Sequence, residues 1–357
     1  MQTSADVWDL NRRVNLTTKV YLAGAVQAAP VFLDIRKTVE KTIALIDEAG
    51  AKGIKLLAFP ETWLPGYPVW PWFVTPTEAL AFIPAFHENA MTIDSSELSL
   101  LQEAARRNDM HVVIGLCERS FGSLYISQFI IGADGTLLAC RRKLRATYAE
   151  RLLFGEGDGS DLLVHETPIG RLGALNCWEN IQPLVKHALF SQHEQVHVAS
   201  WPIVQPAAVA PGYALSAEVT MAVCQSYALE GQCFVIAASQ VLDADYIARQ
   251  NAMCGRDLPM PAGGGSSMIF GPDGRPLGDP LPPDQEGIVM AEINLDLLSF
   301  AKALADPVGH YARPDVLRLD FDRTNHRLGT KDGPNVAGPE ARPETPVPGP
   351  DLREEVV

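Results

Sequence analysis

Short apolar runs that stop abruptly at a reactive polar residue most narrow what this chain can fold into. Ile54 to Phe59 (IKLLAF) is closed by Pro60 and delivers Glu61. The run 136–141 leads almost directly to Lys143, and Leu172 to Asn176 delivers Cys177. Apolar runs of this length, bounded by turn residues, read as buried strands, and a polar residue just beyond one stands at the mouth of a sheet. Helical patterns lie between them: Val39, Ile43, Ile46 and Ala49 within 34–49, then Leu98, Leu101 and Ala105. More strands are expected over 20–29, 111–116, 195–200 and 232–238. The turn Ala133-Asp134-Gly135 joins a hairpin over 124–132 and 136–141. A helix is expected from about 180 to 193. Another, over 213–230, should bury Leu215, Val219, Ala222, Val223, Ser226 and Leu229. A last hairpin should pair 266–270 with 287–293 through the turn Gly271-Pro272-Asp273-Gly274. Strand and helix alternation broken by antiparallel hairpins predicts one α/β domain with mixed sheets.

Charge and composition exclude several classes. With a formal net charge of −14 over 357 residues, no basic face is available for phosphates, so nucleic acid is not an expected partner. No run approaches the ~20 apolar residues that span a bilayer, and the first residues (MQTSADVWDLNRRVNL) carry no signal-peptide core. Six scattered cysteines form no CxxC pair and no zinc spacing, which suits a reducing cytoplasm. Residues 1–17 are expected to be a polar extension, 18–320 the working domain, and 321–357 a flexible proline-rich tail.

Glu61, Lys143 and Cys177 are chemically complementary if the fold brings them together. A free cysteine thiol ionises with a pKa of about 8.5, so a neighbouring base helps it become a nucleophile. Glu61 can take the thiol proton and hand it to a departing nitrogen. Lys143 supplies a fixed charge where negative charge develops, an effect worth roughly 10²–10³ in rate. Glu150 could hold that ammonium or orient the substrate. A helix starting behind Cys177 would lower its pKa. Tyr67, Trp178 and Trp201 are candidate pocket walls. His187, His193 and His197 present no ligand pair and read as structural, and GEGDGS (155–160) lacks the ending of a phosphate loop.

FPETWLPGYP (59–68), CRRKLRATYAERLLFGEGDGSDL (140–162) and GRLGALNCWENIQPL (170–184) resemble the signature regions of the nitrilase family within the carbon–nitrogen hydrolases. HEQVHVASWP, YALEGQCFV and ADPVGHYARPDV extend the likeness over roughly 18–320. The resemblance implies an αββα sandwich and a triad of Glu61, Lys143 and Cys177, with Glu150 as a second glutamate. It implies a homo-oligomer, dimeric or spiral, with neither cofactor nor metal. The implied reaction turns a nitrile into a carboxylic acid and ammonia through a covalent thioimidate and thioester. HVASWP and GALNCWENIQPL look most like bacterial enzymes acting on arylacetonitriles. Hydrolysis of amides or N-carbamoyl compounds, cyanide chemistry, and a non-catalytic filament protein are the alternatives.

Overall fold

A computed structural model describes residues 20–327. The expected extension 1–17, and the expected tail from residue 328 onward, lie outside the described residues.

The first half comprises β1 (Val20–Ala28), α1 (Ile35–Ala51), β2 (Ile54–Ala58), α2 (Ser96–Arg107), β3 (His111–Ser120), β4 (Ser123–Ile131) and β5 (Leu137–Arg142). Asp34 caps α1 by accepting the Lys37 amide, and the helix buries Thr38, Val39, Thr42, Ile46 and Ala49 at three- and four-residue spacing. The second half comprises β6 (His165–Thr167), β7 (Gly170–Asn176), α3 (Pro183–Phe190), β8 (Val196–Ile203), α4 (Ala217–Gly231), β9 (Phe234–Gln240) and α5 (Ala244–Cys254). Then follow β10 (Met268–Phe270), β11 (Pro276–Leu277), β12 (Gly287–Asn294) and α6 (Leu297–Ala305).

Strand order runs β5-β4-β3-β2-β1 and then β9-β8-β7-β6, with β10 beside β9 and β12 beside β1. β1 pairs along nearly its whole length with β12 and through 22–25 with β2, but meets β9 only through Gln27 and Ala28. The halves are therefore two sheets joined at one corner. Their inner faces meet in a core where Ala25, Leu56, Ala58, Val113 and Ile130 oppose Ala174, Val198, Phe234 and Ile236. On the outer faces, α1 and α2 cover Val26, Leu57 and Val112, while α3 and α4 cover Leu175, Ala199 and Val235. This alternation along each strand builds the αββα sandwich, each large side chain so buried contributing about 1.5–3 kcal/mol.

Several expectations need correction. The strand near 287–293 pairs with β1, and β10 turns at 271–274 onto β11 instead. Val289, Ala291 and Ile293 alternate into the core between the sheets, which anchors β12 beside β1. The helix expected over 213–230 starts at Ala217 and buries Thr220, Cys224, Tyr227, Ala228 and Gly231, not the expected stripe. It is apolar on both faces, so periodicity cannot choose between them. The helix expected from 180 to 193 is a 3-10 turn (Cys177–Ile181) followed by α3, broken where Pro183 cannot donate a hydrogen bond. Helices α5 and α6 add to the expected elements. The first residues of the expected tail contact the body: Phe321 packs beside the outer core of the second sheet, and Arg327 pairs with Asp161.

Candidate active site

β2, β5 and β7 end on the same side of the sandwich and bring Glu61, Lys143 and Cys177 into one buried cluster. Lys143 Nζ donates to Glu61 Oε1 at 2.6 Å and to Glu150 Oε2 at 2.9 Å. The Thr147 amide also donates to Glu150 Oε2, and Tyr67 OH donates to Oε1 at 2.8 Å. Trp72 Nε1 in turn donates to Tyr67 OH. Glu150 thus has a partner on each oxygen, whereas Glu61 Oε2 is buried with none. A buried carboxyl oxygen with no hydrogen-bond partner is free to exchange a proton with a neighbouring group.

The backbone is shaped to permit this. Gly115 on β3 lies against the Glu61 turn, where an added Cβ would stand 2.2 Å from the Pro60 carbonyl oxygen and 2.7 Å from Glu61 Cα. Glu61 N–H donates to the Trp201 carbonyl across the corner between the sheets. Thr62, Tyr148 and Cys177 all have positive φ, at 51°, 43° and 49°. For a residue with a Cβ this conformation costs about 1–2 kcal/mol, and all three lie beside or within the cluster.

Glu179, two residues past the thiol, is a site residue that sequence reasoning missed. Its carboxylate accepts from the Asn176 amide at 2.9 Å and from the Leu144 amide at 2.8 Å. It also forms a two-pronged ion pair with Arg141 at 2.8 and 2.6 Å. One side chain therefore fastens the segment carrying Cys177 to the segment carrying Lys143. Arg141 and Arg142, which could have been a solvated basic face, are buried against Glu179 and Glu118. The signal for Glu179 is its place in CWEN; its partner has none.

Electrostatics follow from burial. Desolvation pushes the Glu61 carboxyl up to about 8, with Lys143 opposing the rise and Glu150 adding to it. Burial works against the charge on Lys143, but Glu150 and Glu61 outweigh it and hold the ammonium well above its ordinary value. The Cys177 thiol is pushed well above the usual range, first by burial and then by Glu61, with Lys143 pulling the other way. This corrects the expectation of a lowered thiol: the turn behind Cys177 is a single 3-10 turn, and desolvation outweighs it.

Cys177 opens onto a cavity of about 390 Å³. Tyr67, Trp178 and Trp201, the expected wall residues, all line it, as do Glu150 and Thr147. Trp72, an aromatic candidate from the stretch after Glu61, lines it too. Phe73, Val204, Leu215 and Met260 do so without any distinguishing signal in the sequence; Pro259, Met260 and Pro261 arrive from a loop far along the chain. Glu61 and Lys143 stand behind the thiol, outside the lining. Among the described residues, no Lys, Arg or His lines the cavity. Among them there is also no cluster of His, Cys, Asp and Glu suited to a metal, and no helix long and apolar enough to cross a membrane.

Comparison with known proteins bears on the family and the fold. The carbon–nitrogen hydrolase family profile matches residues 22–303. An aliphatic nitrilase from Rhodococcus rhodochrous is 47% identical, covering 86% of this chain and 84% of its own. An arylacetone-specific nitrilase from Alcaligenes faecalis is 45% identical, covering 86% of each. Among solved structures, the C. elegans NitFhit protein superposes with a TM-score of 0.66 at 19% identity, over 88% of this chain and 70% of that one. A Helicobacter pylori carbon–nitrogen hydrolase gives 0.65 at 20% identity, over 83% and 96%. From this agreement in sequence and fold, the chain belongs to the carbon–nitrogen hydrolase family, in its nitrilase branch.

Proposed function

We propose that the protein hydrolyses uncharged organic nitriles, arylacetonitriles foremost, to carboxylic acid and ammonia. The observation that carries this reading is a thiol set in the wall of a largely apolar cavity, within electrostatic reach of a carboxyl and an ammonium that pair with each other. Cys177 adds to the nitrile carbon while its proton passes by way of Glu61 to the nitrile nitrogen, giving a thioimidate. Water then adds, ammonia leaves after a second protonation, and a further water releases the acid from the thioester. Lys143 stabilises charge on the attacked nitrogen and later oxygen, and Glu150 with Tyr67 orients the substrate. Trp72, Trp178 and Trp201 suit an aromatic ring, and the absence of a cation among the described lining residues disfavours a substrate bearing a carboxylate. Phenylacetonitrile, mandelonitrile, benzonitrile, an aliphatic dinitrile, cyanide and the matching amides, each assayed for ammonia and for acid against amide, test the reading. Turnover of amides with no turnover of any nitrile would replace it with an amidase.

The ionisation of Glu61 sets the expected pH profile. A base must be deprotonated, and this carboxyl is raised from 4.5 to about 8, so kcat/KM should fall as pH drops below that value. Glu150 contributes to the rise, so Glu150→Gln should move this acid limb to lower pH as well as slowing turnover. An unmoved limb in that variant would assign the titration to another group. Linkage has the same sign. Between about 4.5 and 8 the native state retains a proton that the unfolded chain has lost, so this group's contribution to stability declines as pH rises through that window.

A homo-oligomer and a cytoplasmic location complete the proposal. The oligomer is supported by the outer face of α4, where Val219, Ala222 and Val223 line a groove with Ile181 and the exposed Tyr213. A second copy of the chain laid across this face would cover it. Light scattering after size-exclusion chromatography should show at least a dimer for the native chain and a smaller species for Ala222→Glu. An identical mass for the two would place the interface elsewhere. The location is supported by cysteines that are all unpaired, five of them buried.

A further inference from the structure

Behind the nucleophile lies a chain of buried polar groups that has no part in the chemistry above. Asn180 Nδ2 donates to the Cys177 carbonyl oxygen at 2.8 Å. Asn180 Oδ1 stands 2.8 Å from His197 Nε2, and His197 Nδ1 stands 2.8 Å from Glu194 Oε1. Tyr227 OH donates to the second Glu194 oxygen at 2.7 Å, and its ring stacks on the imidazole with centroids 3.9 Å apart. None of these four residues is more than 1% exposed. They come from the turn after Cys177, the approach to β8, β8 itself and α4, so the chain crosses the second sheet into its covering helix.

From Cys177 to His197, donor and acceptor roles have one consistent assignment. The Cys177 carbonyl only accepts, so Asn180 presents its amide NH2 to it and turns Oδ1 toward His197. That oxygen also only accepts, so His197 Nε2 carries a hydrogen. Glu194 closes the chain, one oxygen sharing a hydrogen with His197 Nδ1 and the other accepting from Tyr227. Reversing the Asn180 amide would set two acceptors against each other at Cys177. Each link therefore fixes the orientation of the next.

We propose that Glu194, His197 and Asn180 form a positioning relay that holds the Cys177 carbonyl, and with it the left-handed backbone that aims Sγ into the cavity. Cys177 has φ of 49°, a conformation it would leave if its carbonyl were free. Releasing that carbonyl swings the sulfur away from the attacking geometry without removing any group that touches the substrate. The relay rests on Cys177 being the nucleophile, which Cys177→Ala tests separately.

Four variants test it: Asn180→Asp, His197→Leu, His197→Gln and the double variant Asn180→Asp/His197→Leu. Asn180→Asp keeps shape and the acceptor toward His197 but loses the donor to Cys177. It should lower kcat about 100-fold, the scale of a misplaced reacting atom. KM should stay within ~3-fold, since substrate binding groups are intact. Alkylation of Cys177 by iodoacetamide should slow in parallel with kcat. His197→Gln keeps a donor for Asn180 and should recover part of the activity lost in His197→Leu. The double variant should be no worse than Asn180→Asp alone, because the links act in series. Near-native kcat in Asn180→Asp, no difference between the Gln and Leu variants, or effects that multiply in the double variant would each overturn the relay. If His197→Leu fails to fold, Asn180→Asp and its double variant with His197→Gln carry the same test. Activity surviving in Cys177→Ala would instead overturn the reading of the site.

Discussion

Purified Cys177→Ala is expected to release no measurable ammonia from any nitrile, a loss of roughly 10⁴–10⁶-fold set by removal of the proposed nucleophile. Cys177 is the one thiol that lines the cavity, and the others are buried elsewhere or lie away from the cluster. Alanine fits the space, so the variant should fold and keep its unfolding midpoint close to the native one. It should also lose the active-site adduct that iodoacetamide forms in the native protein, read by peptide mass spectrometry. Ammonia release at even a few per cent of the native rate would mean that another group attacks the nitrile.

Glu179→Ala should have the largest effect on stability. The substitution leaves the Arg141 guanidinium buried without its carboxylate, which costs about 3–5 kcal/mol. For a chain of this size that corresponds to a drop in Tm on the order of 10 °C. Activity should fall with it, because the Asn176 and Leu144 amides lose the acceptor that ties Cys177 to Lys143. Removing Glu156 offers the contrast. Its pair with Arg145 is solvent-exposed, so Glu156→Ala should change stability by less than ~1 kcal/mol. Differential scanning calorimetry of the two variants compares them directly, and equal Tm values would show that burial of the Arg141 pair carries no special weight.

Strand positions are legible in the sequence because an apolar run closed by a turn residue has few other readings. Glu61, Lys143 and Cys177 can be placed at strand ends from local pattern alone. Their convergence cannot, since it depends on β2, β5 and β7 opening on one side of a sandwich whose halves meet at a corner. Glu179 and Arg141 look like ordinary charged residues, and only the fold shows their burial and pairing. The buried stripe of α4 differs from the expected one because Val219 and Val223 are as apolar as Cys224 and Ala228, while burial is decided by where α3 and the second sheet lie. Strand β12 has a partner that local spacing does not favour, since β1 stands more than two hundred residues earlier.

That distant pairing matters for synthesis on the ribosome. β1 is the first described strand to emerge, yet its antiparallel neighbour ends at Asn294 and its corner contact lies at Ser239 and Gln240. At roughly 5–20 residues per second, β1 waits on the order of tens of seconds with one long edge unsatisfied. During that interval β1 is an apolar edge strand on an incomplete sheet, the species most prone to pair with a second nascent chain. Soluble yield should therefore respond to growth temperature, translation rate and chaperone supply more steeply than the stability of the finished enzyme would suggest.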